Sequence, residues 1–215
     1  MTNAPETESA PSPRTRVRLA HELGTYDKQA IYAIVDEAPI CHVSAIVDEA
    51  PYVQATTHWR IDDKVYVHGA VKNKLVHAIH QGAEACLSFT LFDGYVLPRS
   101  AFNHTILYRS VIAYSMGRFV EGLDEREHLL HAYMDRVHPG RWDTIRQPSE
   151  TELKQTGIIE LSLDEASGKV MPTDVAPYLL PGGPLEAPED AEVSPWTGIQ
   201  QVALRTETPL PADQL

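Results

Sequence analysis

Cysteine is scarce in this chain, and long basic or apolar runs are missing. Cys41 and Cys86 are too few for a disulfide framework and lack metal-ligand spacing. Each lies in an alternating apolar stretch, the setting of a buried, reduced thiol. The formal net charge is −12. Nucleic-acid binding needs a basic face, so that class of partner is set aside. No segment approaches the ~18 apolar residues of a membrane span, and no membrane partner is expected. Residues 1–13, rich in Pro, Thr and Glu, also lack the apolar core of a secretory leader. The expectation is a soluble, cytoplasmic protein. No serine shows an adjacent base with an orienting group, which argues against hydrolysis.

What is present suffices for one sizeable core: 215 residues, 43% of them hydrophobic. Residues 1–13 read as a disordered lead and 14–175 as the folded domain. Residues 176–215 form an acidic, Pro-rich extension that packs on the domain or is partly disordered. Asp27 is placed to cap a helix over Lys28 to Glu37, with Ile31, Ile34 and Val35 on one face. Strand patterns follow at Ile40 to Val47, Tyr52 to Trp59 and Lys64 to His68, the first two joined as a hairpin. A helix from Lys72 to His80 leads to alternation over Ala85 to Phe92 and an Asp93-Gly94 turn. A long strand spans Tyr108 to Val120, with Gly117 as a bulge or close-approach point. Leu123 to Val137 is helical, with Asp124 as cap and Leu129, Leu130 and Tyr133 as its apolar face. Strands at Gly157 to Leu163 and Lys169 to Thr173 close the pattern. This spacing predicts a mainly β fold, a small β-barrel with a few helices.

Two segments carry candidate chemistry. In Val65 to Leu75 an alternating strand ends at Gly69, and Lys72 and Lys74 flank Asn73 where a helix begins. A helix start offers unpaired N–H groups and a positive dipole end, the lysines add mobile charge, and Asn73 can donate from its amide. That suits a phosphate-bearing ligand; a solvated basic loop is the plainer alternative. The second segment, Asp93 to Val111, is dense in donors: Arg99, Ser100, Asn103, His104, Arg109 and Ser110. Such a set against a barrel wall suits a polar planar ligand or a phosphate, unless the donors serve their own backbone.

Tyr66-Val67-His68-Gly69-Ala70 with Asn73-Lys74, Asp93 to Leu97, Arg99 to Phe102, and Tyr108-Arg109-Ser110-Val111 together resemble the pyridoxamine 5'-phosphate oxidase-like flavoproteins. The likeness is to the branch related to nitroimidazole-resistance and flavin-nucleotide-binding proteins, and it runs from about Arg14 to Ile199. It implies a split β-barrel of the FMN-binding type, with flavin mononucleotide (FMN) held at the interface of a homodimer. By that resemblance Val53, Gln54, Ala55 and Thr56 lie beside the isoalloxazine ring. Tyr66, His68 and Gly69 add ring contacts, and Lys72, Asn73 and Lys74 receive the phosphate. Arg109 and Ser110 bind phosphate or ribityl oxygens, and Arg99, Ser100 and His104 reach the partner subunit's flavin. Relatives carry Ser-Arg where Asn73-Lys74 stands, a bidentate fork in place of a point charge.

The same resemblance puts His68 close to the flavin ring as the candidate catalytic residue, where it would orient a substrate or pass a proton; a strand-end histidine that hydrogen-bonds a turn is the plainer alternative. No metal is expected: the pairs His77/His80 and His128/His131 lack a third ligand. The expected activity is that of an FMN-dependent oxidoreductase acting on a small organic acceptor. The alternative is a non-catalytic flavin- or haem-binding protein. In the tail, Trp196 and Ile199 are placed to wrap a neighbouring surface.

Overall fold

The computed structural model describes residues 9–172, 190 and 197–203. The chain divides into two compact units. One comprises the residues up to Leu91 together with Ser110–Val170; the other comprises Phe92–Arg109 and the described residues from Met171 onward.

In the first unit a short strand β1 (Gly24–Thr25) leads into helix α1 (Lys28–Glu37). Asp27 caps α1 as expected: its carboxylate accepts the Ala30 N–H at 2.8 Å. Ile31, Ile34 and Val35 are its buried face. Strands β2 (Cys41–Val47) and β3 (Ala50–Thr56) form a hairpin closed by Asp48 and Glu49. Both turn residues have positive φ (50° and 61°), the geometry whose twist matches the strands.

The expected strand Tyr52 to Trp59 is two strands. The chain breaks at Thr57, and β4 (His58–Ile61) joins a different sheet, pairing with β5 (Lys64–Ala70). Helix α2 (Lys74–His80) starts two residues later than the pattern suggested, because Asn73 is its cap. Strand β6 (Glu84–Leu97) runs straight through the expected Asp93-Gly94 turn.

Strand β7 (Thr105–Met116) gives way at Gly117 to β8 (Arg118–Phe119) in the other sheet. A Cβ on Gly117 would stand 2.3 Å from Ile79 Cγ2 and 2.8 Å from Ile159 Cγ2, so the close-approach reading holds. Helix α3 (Leu123–Val137) is capped at Gly122 rather than Asp124. The polar stretch after Trp142, for which the pattern offers no element, contains a further helix, α4 (Glu150–Gln155). It is followed by β9 (Thr156–Ser162) and by β10 (Ala166–Val170), which starts three residues earlier than the expected strand Lys169 to Thr173.

The sheets are antiparallel, with orders β1-β10-β7-β6-β2-β3 and β4-β5-β9-β8. Alternate residues of both, among them Val43, Val65, Val67, Leu87, Phe89, Val111, Ile159 and Leu161, fill a single core. The reverse face of β4, β5 and β9 packs Trp59, Tyr66 and Ile158 with Val120 and Leu129. The fold is mainly β, as the spacing predicted.

In the second unit the far ends of β6 and β7 continue, and β11 (Gly198–Gln201) pairs with β6 from Gly94 to Leu97. Gly94 allows that pairing: a Cβ there would lie 2.5 Å from the Gln200 carbonyl oxygen. Val96, Leu107, Met171 and Ile199 form a small core. Trp196 and most of the tail lie outside the described residues, as do the first eight residues of the lead.

Candidate functional site

Strand β3 ends its sheet, and among the described residues nothing pairs with its outer side. Its free N–H and C=O groups are therefore available to a ligand or a second chain. Val53 is 63% exposed and Ala55 is exposed, whereas Gln54 and Thr56 are half-buried. Gln54 Oε1 accepts a hydrogen bond from Asn73 Nδ2 at 2.9 Å. One bond thus joins two of the residue sets singled out in the sequence.

Asn73 differs in role from the sequence expectation. Its Oδ1 accepts from the Leu75 and Val76 N–H groups at 2.9 and 3.2 Å, and its own N–H donates to the Ala70 carbonyl. The N–H groups that made α2 an anion site are thus met by its own cap. Serine and asparagine are both good caps, so the cap survives the departure from the family pair. The positive charge at the turn comes from exposed Lys72 and Lys74. Lys74 Nζ lies 3.9 Å from Asp48 Oδ2, an exposed contact worth little. Ile46, Asp48, Lys74, His77 and Gln81 line a cleft of about 390 Å³.

On β5, Val65 and Val67 enter the main core while Tyr66 and His68 face the other way. Tyr66 is 8% exposed and stacks on Trp59 at 5.8 Å. Its hydroxyl donates to Glu160, which also holds Arg118. Burial, reinforced by the Glu160 charge, pushes the phenol up to about 12. The His68 ring lies 5.8 Å from Trp59 and 5.2 Å from Tyr133. Its Nδ1 is buried without a hydrogen-bond partner, and burial lowers its pKa, which keeps the ring neutral at pH 7. Trp59 Nε1 is likewise buried without a partner. Gly69 faces Gly157 across β5 and β9, and a Cβ on Gly157 would lie 2.8 Å from Val76 Cγ1. These glycines seat α2 against the sheet.

The second unit holds the remaining candidates except Ser110, which is half-buried on β7 in the first. Arg109 grips Asp93 with two hydrogen bonds, at 2.9 and 2.7 Å. Asp93 was assigned to a turn in the sequence, so its partnership with Arg109 was missed. Ser100 caps the turn Ala101–Asn103 by accepting from the Phe102 N–H, and His104 Nδ1 donates to the Ser100 carbonyl at 2.9 Å. Ser100 and His104 thus serve their own backbone here, the plainer alternative for this segment. Arg99 is half-buried, and Phe102, at the tip, is 93% exposed.

Sequence reasoning also missed the ring environment of His68, since nothing in the strand pattern signals Tyr133 arriving from α3. Among the described residues no group of three His, Cys, Asp or Glu side chains is placed to hold a metal ion. No helix among them is long and apolar enough to cross a membrane.

Comparison with known proteins gives a consistent picture. The family model described as pyridoxamine 5'-phosphate oxidase matches residues 27–170. The flavocytochrome Anf3 from Azotobacter vinelandii is 32% identical, with a TM-score of 0.85 over 95% of this chain and 91% of that one. An FAD and heme binding protein from Mycobacterium smegmatis is 26% identical, with a TM-score of 0.79 over 90% of each chain. A candidate 5-nitroimidazole antibiotic resistance protein from Bacteroides thetaiotaomicron shares the fold at 22% identity and a TM-score of 0.58, over 68% of this chain and 86% of that one. Among curated proteins none matches significantly. The two antiparallel sheets around one core are a split β-barrel, and the chain belongs to the pyridoxamine 5'-phosphate oxidase family.

Proposed function

We propose that this protein binds a flavin, FMN in the first instance, as a homodimer and works as an oxidoreductase on a small organic acceptor. The observation that carries this reading is the open edge of β3 lying one hydrogen bond from the lysine-flanked turn before α2. Free backbone groups on β3 suit the polar edge of the isoalloxazine ring, and Val53 and Ala55 offer apolar contact. Lys72 and Lys74 supply charge for the phosphate. Arg99, Ser100 and His104 are assigned to the flavin of the partner subunit. The flavin supplies electron or hydride transfer. The neutral His68 ring holds or passes a proton at the site. The Azotobacter relative is a flavocytochrome, which supports the choice of a flavin.

A second reading is haem binding, alone or beside a flavin. His68 Nδ1 and Trp59 Nε1, buried without partners in an aromatic setting, favour it, and the Mycobacterium relative is described as binding FAD and heme. An unpaired imidazole nitrogen suits iron.

Titration of the purified protein with FMN, FAD and haem separates these readings. Flavin absorbance that bleaches anaerobically with NAD(P)H and returns with an acceptor supports the oxidoreductase. A Soret band lost in His68→Ala supports haem. Lys74→Ala is expected to weaken FMN binding by about 1–3 kcal/mol. An unchanged dissociation constant refutes the phosphate assignment.

A further inference from the structure

We propose that Gln54 is a positioning residue: acting through Asn73, it makes the site prefer a phosphate-bearing flavin over riboflavin. This rests on the flavin reading above and goes beyond it by assigning selectivity to a side chain on the ring strand.

The argument begins with the amide of Asn73. Its oxygen caps α2 by accepting two backbone N–H groups, and its nitrogen donates to Gln54 Oε1 at 2.9 Å. An amide turned end for end would set its donors against the Leu75 and Val76 donors. Gln54 adds a second requirement of the same sense, so both ends of Asn73 are specified. The backbone of Gln54 is held opposite Val43 in the β2–β3 ladder, so its side chain starts from a fixed point.

Helix α2 has only seven residues, Lys74–His80. A helix that short has little stability of its own and depends on its cap and its packing. Lys72 and Lys74 flank Asn73 in sequence, so any freedom at Asn73 is shared by the backbone that carries both ammonium groups. A turn ordered before the ligand arrives avoids part of the cost of ordering on binding. That gain accrues to a ligand with a phosphate and not to one that ends at the ribityl chain.

Two variants and one flavin-free measurement test this. Gln54→Met removes the acceptor at similar length, and Asn73→Ser keeps the capping oxygen but removes the amide donor. In each, the FMN dissociation constant is expected to rise about fivefold while that for riboflavin stays within about twofold. The double variant is expected to be no worse than either single one, because the two residues act as a unit. Amide hydrogen exchange at Leu75 and Val76 in the flavin-free protein is expected to quicken about fivefold in Gln54→Met. Equal loss of riboflavin affinity would mean that Gln54 touches the ring, and additive losses or unchanged exchange would also overturn the proposal. If the wild-type chain binds neither FMN nor riboflavin, the flavin reading falls, and the exchange rates alone decide whether Gln54 positions Asn73.

Discussion

Burial sets His58 and His68 apart from residues that merely line a surface. His58 is 3% exposed; its Nε2–H donates to the Val35 carbonyl at 2.7 Å, its Nδ1 is buried without a partner, and its ring meets Phe89 edge-on. Burial lowers its pKa, against the smaller opposing pull of the Val35 carbonyl, and burial alone lowers that of His68. Both are therefore neutral in the folded chain at pH 7. As pH falls through about 6.5 the unfolded chain takes up these protons first, so it is favoured. Stability is expected to hold above pH 7 and to fall on acidification by at most about 1.4 kcal/mol per pH unit for each histidine. Urea unfolding at pH 8, 7, 6 and 5 reads this, and the acid slope should be shallower in His58→Gln. A slope unchanged in that variant counts against the assignment. His68 was legible as a residue of interest because the family likeness puts a histidine at this strand end. His58 was not, because the run from Tyr52 to Trp59 looks like one strand, and only the break at Thr57 turns its ring into the core.

Elements were legible where a cap and an apolar stripe agreed. Helix α1 follows its pattern to the residue, since Asp27 and the positions Ile31, Ile34 and Val35 are mutually consistent. Helix α4 shows the opposite case. Ser149 and Glu152 form a reciprocal capping box, with the Glu152 N–H donating to Ser149 Oγ at 3.3 Å and the Ser149 N–H donating to Glu152 Oε2 at 2.7 Å. The signature Ser-x-x-Glu stands in the sequence, but six residues are too few to show periodicity, and Leu153 is the one buried side chain. Its carbonyl accepts from buried Arg126, which ties α4 to α3. Ser149→Ala is expected to lower stability by about 1 kcal/mol in thermal or urea unfolding. No measurable loss would show that Glu152, Arg146 and the packing of Leu153 hold α4 without the serine. Strand β6 was cut short in the sequence because Asp-Gly usually marks a turn. Here Gly94 serves the neighbouring strand β11 and Asp93 holds Arg109, contacts between positions far apart in sequence that no local pattern records.

At the scale of the molecule, the barrel was legible from strand count and spacing, and its split form from the family likeness. The passage of one chain from sheet to sheet at Thr57 and Gly117 was not, because period-two alternation continues on either side of each crossing. Several apolar side chains remain outward on the first unit: Ile46, Tyr52, Val53 and Met116. Apolar side chains left outward commonly mark an interface where they adjoin. A second copy is the expected cover, and light scattering should return twice the 23.9 kDa chain mass at micromolar concentration. A monomer under those conditions contradicts the homodimer.

The crossing at Gly117 also restricts how this barrel can change over evolutionary time. Side chains alternate with a period of two, so losing or gaining one residue between Val111 and Gly117 would turn every following side chain to the opposite face. It would also move the glycine away from Ile79 and Ile159, whose methyl groups leave no room for a Cβ at that point. Length variation in descendants of this chain therefore belongs in its hairpin turns and in the crossing after Trp142, while the spacing from β7 to β8 stays fixed.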